Sequence, residues 1–248
     1  MTPDLSIDAA GVATVRLRRP RHLNRLHRED LQVLLQHFER LAADPPRVLV
    51  LTGEGRAFCA GFNLDELDGS GDPQLFERTV DALEALPLPT LARLNGSVYG
   101  GATDLALACD FRIGVAGLEL RMPAARLGLH YYPNGMRRYV SRLGLQTAKR
   151  LFLLAEAVPA DELLRLGYLD ACVEPGALDA EVARHADALA AGAPLAVRGM
   201  KATLDEIARG TLDPARVRER EALCAASADL REGIAAFAAR RAPKFSGR

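Results

Sequence analysis

The spacing of apolar positions changes along the chain, and each change marks an element. Near the N-terminus Ala13, Val15 and Leu17 alternate with Thr14 and Arg16, the two-residue period of a half-covered strand. Leu5 to Asp8 and Val12 to Leu17, joined through Ala9-Ala10-Gly11, therefore predict a β-hairpin, which Pro20 ends. Leu31, Leu34, Leu35, Phe38 and Leu41 then recur at helical spacing. Asp44-Pro45-Pro46 stops that helix, because proline disfavours α conformation in the residue before it. Val48 to Thr52 is a short continuous apolar run, the mark of a strand buried on both faces. A second helix is predicted from Pro73 to Leu86, with Phe76, Val80, Leu83 and Leu86 on one face. Pro87 and Pro89 frame a strand from Thr90 to Leu94, and Asn95-Gly96 is a turn signal. Gly100-Gly101 opens an Ala/Leu helix that runs to Cys109, and Asp110 to Val115 reads as another strand.

This alternation of strand and helix predicts an α/β protein with parallel pairing. Beyond residue 145 the chain reads as mostly helical: Gln146 to Leu154, Asp161 to Leu166 with Gly167 at its C-terminal end, then 178–191, 194–208 and 214–240. Pro194 suits the first position of its helix. Gly69-Ser70-Gly71-Asp72 reads as the mobile loop. By pattern alone, a doubly wound sheet and a spiral of ββα turns both remain open.

Composition narrows the class. A chain of 248 residues supports one sizeable core, or a core with a small appended region. Hydrophobic residues at 49% and charged residues at 26% are those of a soluble globular protein, and a formal net charge of zero offers no electrostatic footprint for nucleic acid. The longest apolar runs are strand-sized, well short of the roughly 20 residues of a bilayer span. The start, Met1-Thr2-Pro3-Asp4, lacks the form of a signal peptide. Cys59, Cys109, Cys172 and Cys224 have no paired spacing and read as reduced thiols of a cytoplasmic protein. The five histidines are scattered too, and no metal site is expected.

Two loops carry the candidate chemistry. One runs from Leu51 through Gly53, Gly55 and Gly61 to Leu64; the other runs from Leu94 through Asn95-Gly96 and Gly100-Gly101 into a helix. Both follow strand C-termini, where α/β sheets hold ligands. Glycines at a helix start let a ligand approach N–H groups that favour developing negative charge. A phosphate-binding P-loop is excluded because no Lys-Ser/Thr follows the glycines. Ser97 lies in Gly-Ser-Val-Tyr-Gly, which is not a nucleophile elbow.

Taken together the two loops resemble the crotonase (enoyl-CoA hydratase/isomerase) superfamily. Phe58-Cys59-Ala60-Gly61-Phe62-Asn63-Leu64 is similar to its first oxyanion loop, and Asn95-Gly96 through Gly101, ending in Leu107-Ala108-Cys109-Asp110, to its second. The likeness extends from Arg19-Pro20 and Asn24 through Pro123, Leu127-Gly128 and Arg142-Leu143-Gly144 to Pro243-Lys244-Phe245, over essentially the whole chain. The resemblance implies a ClpP/crotonase-like spiral of ββα units over residues 1–190. A C-terminal helical trimerisation region over 191–248 would give a homotrimer or homohexamer. It implies an acyl-CoA thioester as substrate, coenzyme A entering only as part of it, and no separate cofactor. The N–H groups of Phe62 and Gly101 would hold the thioester oxygen. Ala60, Gly61, Asn63, Leu64, Gly100, Ala124 and Tyr132 would line the substrate site, with Phe237 and Arg240 on the CoA adenine and phosphate.

The same resemblance locates departures. Asp104, three residues after Gly101, matches the first of two hydratase carboxylates, where glutamate is usual. Ala124 stands at the second, and alanine moves no proton. Tyr132 matches an aspartate of dienoyl-CoA isomerases and aryl-CoA dehalogenases, which rules out an aspartyl-ester route. Tyr131 matches an active-site tyrosine of methylmalonyl-CoA decarboxylases, although that subgroup has histidine at Phe62. The expectation is a lyase or isomerase of the enoyl-CoA hydratase type with Asp104 as acid/base. The alternatives are a decarboxylase using Tyr131, or an acyl-CoA-binding protein without catalysis.

Overall fold

The computed structural model describes residues 1–67 and 71–248, so Gly69 and Ser70 of the expected mobile loop lie outside the described residues. β1 (Asp4–Ile7) and β2 (Val12–Leu17) form the expected antiparallel hairpin, with Ile7 opposite Ala13. After α1 (Arg28–Ala43) comes β3 (Val48–Gly53), parallel to β2 and buried at all six positions. α2 (Leu75–Glu84) leads to β4 (Thr90–Leu94), parallel to β3 with Thr90 opposite Leu49.

From here the topology decides between the two architectures that the sequence pattern left open. β5 (Val98–Tyr99) leaves the large sheet before α3 (Gly101–Leu107), and β6 (Phe111–Val115) returns to it beside β4. β7 (Glu119–Arg121) leaves again and pairs with β5. After α4 (Pro133–Leu143) and α5 (Leu145–Lys149), β8 (Val158–Pro159) joins β7. Past α6 (Ala160–Arg165), β9 (Ala171–Val173) closes the large sheet beside β6. The result is two sheets, ordered β1-β2-β3-β4-β6-β9 and β5-β7-β8, visited alternately by successive turns of the chain. This is the spiral of ββα units.

The core fills the space between the large sheet and its helices, with Leu31, Leu34, Phe38 and Leu41 of α1 all buried against it. α7 (Leu178–Ala190) follows the last strand, and α8 (Pro194–Arg209), α9 (Pro214–Ala226) and α10 (Ala228–Ala238) form the C-terminal helices. Polar ties hold them to the spiral: Lys201 Nζ lies 2.6 Å from Asp110, and Arg47 donates to the Phe245 carbonyl at 2.7 Å. Among the described residues, no helix is long and apolar enough to cross a membrane.

Two helical expectations are corrected, and one helix is added. The single helix over 214–240 is two, because Ser227 is extended and its hydroxyl caps α10 by accepting from the Leu230 N–H at 3.0 Å. The helix over 146–154 is α5 followed by a wider π-helical turn at Arg150–Leu154. α4 was not anticipated. Met136, Tyr139, Val140 and Leu143 fall on one face of it at helical spacing, so its stripe was present in the sequence and was passed over.

Candidate active site

Two asparagines fix the loops that carry the site. Asn24 has left-handed backbone (φ 55°), and its Nδ2 donates to the Glu54 and Ala57 carbonyls at 2.8 and 2.9 Å. Asn95 grips the same turn: its Nδ2 donates to the Gly55 and Ala57 carbonyls at 2.7 and 3.1 Å, while its Oδ1 accepts from the Gly53 N–H at 3.2 Å. Backbone bonds then run the loops side by side. The Phe58 N–H donates to the Ser97 carbonyl at 3.2 Å and the Tyr99 N–H to the Cys59 carbonyl at 3.0 Å. At Gly61 (φ 88°) an added Cβ would lie 2.7 Å from the Tyr99 carbonyl oxygen and 3.1 Å from the Gly101 nitrogen, so contact between the loops requires glycine there. Gly101 is the first residue of α3, where an N–H has no acceptor within its own helix. Phe62 follows Gly61 and bridges to Leu26.

A cavity of about 430 Å³ opens against these loops. Ala60, Phe62, Gly100 and Gly101 line it, as do Ala124, Tyr131 and Tyr132, and the half-exposed Leu64 stands on its wall. Leu67, Leu127 and Leu129, also exposed, extend an apolar lining. Phe76 of α2 closes on the junction of the loops. Its Cζ would lie 2.5 Å from a Cβ on Gly101, and its ring stands edge-on to Phe62 at 6.2 Å and to Tyr132 at 6.1 Å.

Asp104 is fully buried and stands behind this wall rather than in it, one hydroxyl further from the cavity than the sequence implied. Its Oδ2 accepts a short hydrogen bond from the Tyr132 hydroxyl and lies 3.5 Å from the Tyr131 hydroxyl. The two tyrosine rings stack at 4.4 Å. The other oxygen, Oδ1, faces Nε of the fully buried Arg138 at 3.4 Å. Burial raises the Asp104 carboxyl above the usual carboxylate range, and the Arg138 charge and the Tyr132 hydrogen bond offset part of that rise. Burial, then the neighbouring carboxylate, pushes both phenols up, so they stay protonated at neutral pH.

Other expected site residues fall elsewhere. Asn63 is buried beneath its loop, donating to Glu66 at 3.2 Å, and does not line the cavity. Phe237, 88% exposed, lines a separate apolar cavity with Leu230, Ile234 and Phe245, and Arg240 follows the end of α10. Within one chain neither reaches the loops. The carboxylates that line the cavity among the described residues are already engaged. Among the described cavity residues, Glu66 is held by His27, Asn63 and the Arg28 N–H, and Asp72 by Arg78 at 2.5 Å. Two contributors escaped the sequence reading. Phe76 reads in the sequence only as part of the apolar face of α2, and Arg138 carries no role there.

Comparison with known proteins agrees with the fold. The family model described as enoyl-CoA hydratase/isomerase matches residues 8–248. The chain is 33% identical to an enoyl-CoA isomerase/hydratase, fer4, of Mycosarcoma maydis, over 100% of this chain and 97% of that protein. It is 31% identical to a crotonyl-CoA hydratase of Syntrophomonas wolfei, over 94% of each. Among solved structures, an enoyl-CoA hydratase/carnithine racemase from Magnetospirillum magneticum superposes with a TM-score of 0.92 at 30% identity, covering 100% of this chain and 96% of that one. The ββα spiral, the loop pair and these matches together establish that the chain belongs to the enoyl-CoA hydratase/isomerase family of the crotonase superfamily.

Proposed function

We propose that the protein carries out enolate chemistry on an acyl-CoA thioester, as a lyase or isomerase of the enoyl-CoA hydratase type. The observation that carries this reading is the contact of Gly61 with Gly101, which sets the Phe62 and Gly101 amides beside the cavity that Tyr131 and Tyr132 line. The two amides bind the thioester oxygen and stabilise the charge that gathers on it when a proton leaves the α-carbon. Tyr132 is the proton-handling group that touches substrate. As its oxygen takes the substrate proton, its own proton passes to Asp104, and the sequence reverses on reprotonation.

Ala124 bears on which reaction is favoured. Water addition by the usual route uses two carboxylates, and of the two matching positions only Asp104 carries one, Ala124 standing at the other. Moving a double bond needs one acid/base set and no water, so isomerisation fits this cavity better than hydration. Loss of carbon dioxide from a malonyl-type thioester, with Tyr131 directing the leaving carboxylate, is the second reading, favoured by the same missing carboxylate. The C-terminal helices, with Phe237, Ile234 and Leu204 exposed, fit the expected trimer, in which Phe237 and Arg240 would meet a neighbour's CoA.

Asp104→Asn keeps the shape of the side chain and removes its charge. It is expected to lower kcat by about 10²–10⁴-fold with KM changed by much less. An unchanged kcat on every acyl-CoA that the wild type converts would take Asp104 out of the mechanism. Ala124→Glu is expected to raise hydration of crotonyl-CoA, read as loss of the conjugated thioester absorbance, if water addition lacks only its second carboxylate. No gain would favour isomerisation or decarboxylation as the native reaction.

A further inference from the structure

Asp104 Oδ1 and Arg138 Nε are both buried and both lack a hydrogen-bond partner, yet they face each other at 3.4 Å. They form a contact ion pair without a hydrogen bond, so little fixes the share of the guanidinium that Asp104 receives. Arg138 has other claims on it. Its Nη2 lies 2.9 Å from Asp81 and its Nε lies 3.6 Å from Glu84, both on α2. We propose that Arg138 is a positioning residue for Asp104: divided between Asp104 and the α2 carboxylates, it sets how readily Asp104 takes the proton that Tyr132 relays. This rests on the proton step proposed above.

The surroundings leave few competing causes. From the segment before α4, Tyr131 and Tyr132 face Asp104. From α4 come Arg138 and Tyr139, from α2 Asp81 and Glu84, and beyond α6 Tyr168, whose hydroxyl donates to the Thr103 carbonyl at 2.7 Å. The phenols are neutral, so Arg138 is the cation in direct contact, and the α2 carboxylates oppose it. Asp81 is the more accessible of the two, with its side chain 30% exposed, and it also accepts from Asn134 at 2.6 Å.

Two substitutions therefore act in opposite directions. Asp81→Asn removes a rival for the guanidinium, and the Asp104 titration is expected to move down by about half a pH unit. Arg138→Gln removes the cation, and the titration is expected to move up by about one unit or more, with Arg138→Lys restoring most of it. The readouts are the carboxyl ¹³C titration of Asp104 in the free protein and the acid limb of the kcat/KM profile. A general loss of packing would not give shifts of opposite sign. Should Arg138→Gln fail to fold, Asp81→Asn and Arg138→Lys carry the test. A carboxyl titration unmoved by Asp81→Asn, or moved the same way by all variants, overturns the proposal. A carboxyl titration that moves as expected beside an unmoved rate profile supports the coupling, and it refutes the proton step assigned to Asp104 instead.

Discussion

Gly61→Ala is expected to lower turnover by roughly 10²–10³-fold in a protein that still folds. The added methyl cannot be absorbed by a flexible side chain. Its nearest neighbours are the Tyr99 carbonyl oxygen at 2.7 Å and the Gly101 nitrogen at 3.1 Å, both backbone atoms. The first loop must retreat from the second, and the two amides proposed to share one oxygen move apart. A misplacement on the order of 1 Å at a reacting centre costs about 10²-fold, even where no catalytic group has been removed. The positive φ of Gly61 adds a left-handed penalty of roughly 1–2 kcal/mol, well below the stability of a domain of this size. The checks are kcat for the converted acyl-CoA beside a thermal melt. Normal turnover in the variant would mean that the junction of the loops does not hold the reacting carbonyl.

Glu84→Gln is expected to cost mainly stability, by about 3–5 kcal/mol, because it neutralises a buried carboxylate shared by several guanidinium groups, beside a downward shift of the Asp104 titration from the loss of a rival for Arg138. Four guanidinium groups converge on this carboxylate: Arg137 at 2.7 Å, Arg209 at 3.2 Å, Arg142 at 3.4 Å and Arg138 at 3.6 Å. They come from α4 and α8, so the one side chain of α2 ties together three helices. Burial alone would raise the Glu84 carboxyl; Arg138, Arg142 and Arg137 together more than offset it and hold it below the usual range. The sign for pH follows. A carboxyl with a depressed folded-state pKa contributes stability above its unfolded value of about 4.3, and that stability is lost as pH falls through the folded value. Denaturant melts from neutral pH downward should show the wild type losing more stability than Glu84→Gln over that window. Equal melts at neutral pH would show that the remaining acids serve the arginines as well.

The sequence was most legible where backbone rules apply. The five-residue strand framed by Pro87 and Pro89 appears at Thr90–Leu94, and the continuous apolar run appears as β3, buried throughout. The loops were legible because Asn24 and Gly61 hold left-handed backbone, while Asn95-Gly96 and Gly100-Gly101 are turn and helix-start signals. The short strands β5, β7, β8 and β9 have two or three residues each, too few to show a period, so the second sheet that distinguishes the spiral could not be read. Asp104 was placed from its distance along the chain after Gly101. That distance gives the helix face but not the two tyrosines between it and the cavity, since they arrive from a loop 27 and 28 residues later. Arg138 was hidden for a related reason. A charged residue in a run of arginines looks solvent-facing until tertiary contacts bury it.

The asparagine grip on the Ala57 carbonyl has an evolutionary consequence. The geometry proposed for carbonyl binding is held by main chain and by two amide side chains that never meet substrate. Ala124, Tyr131 and Tyr132 come from a stretch that takes no part in that grip. Mutation can therefore swap one proton-transfer apparatus for another while the cradle stays assembled, so a lineage can acquire a new reaction without passing through an ancestor that cannot polarise a thioester.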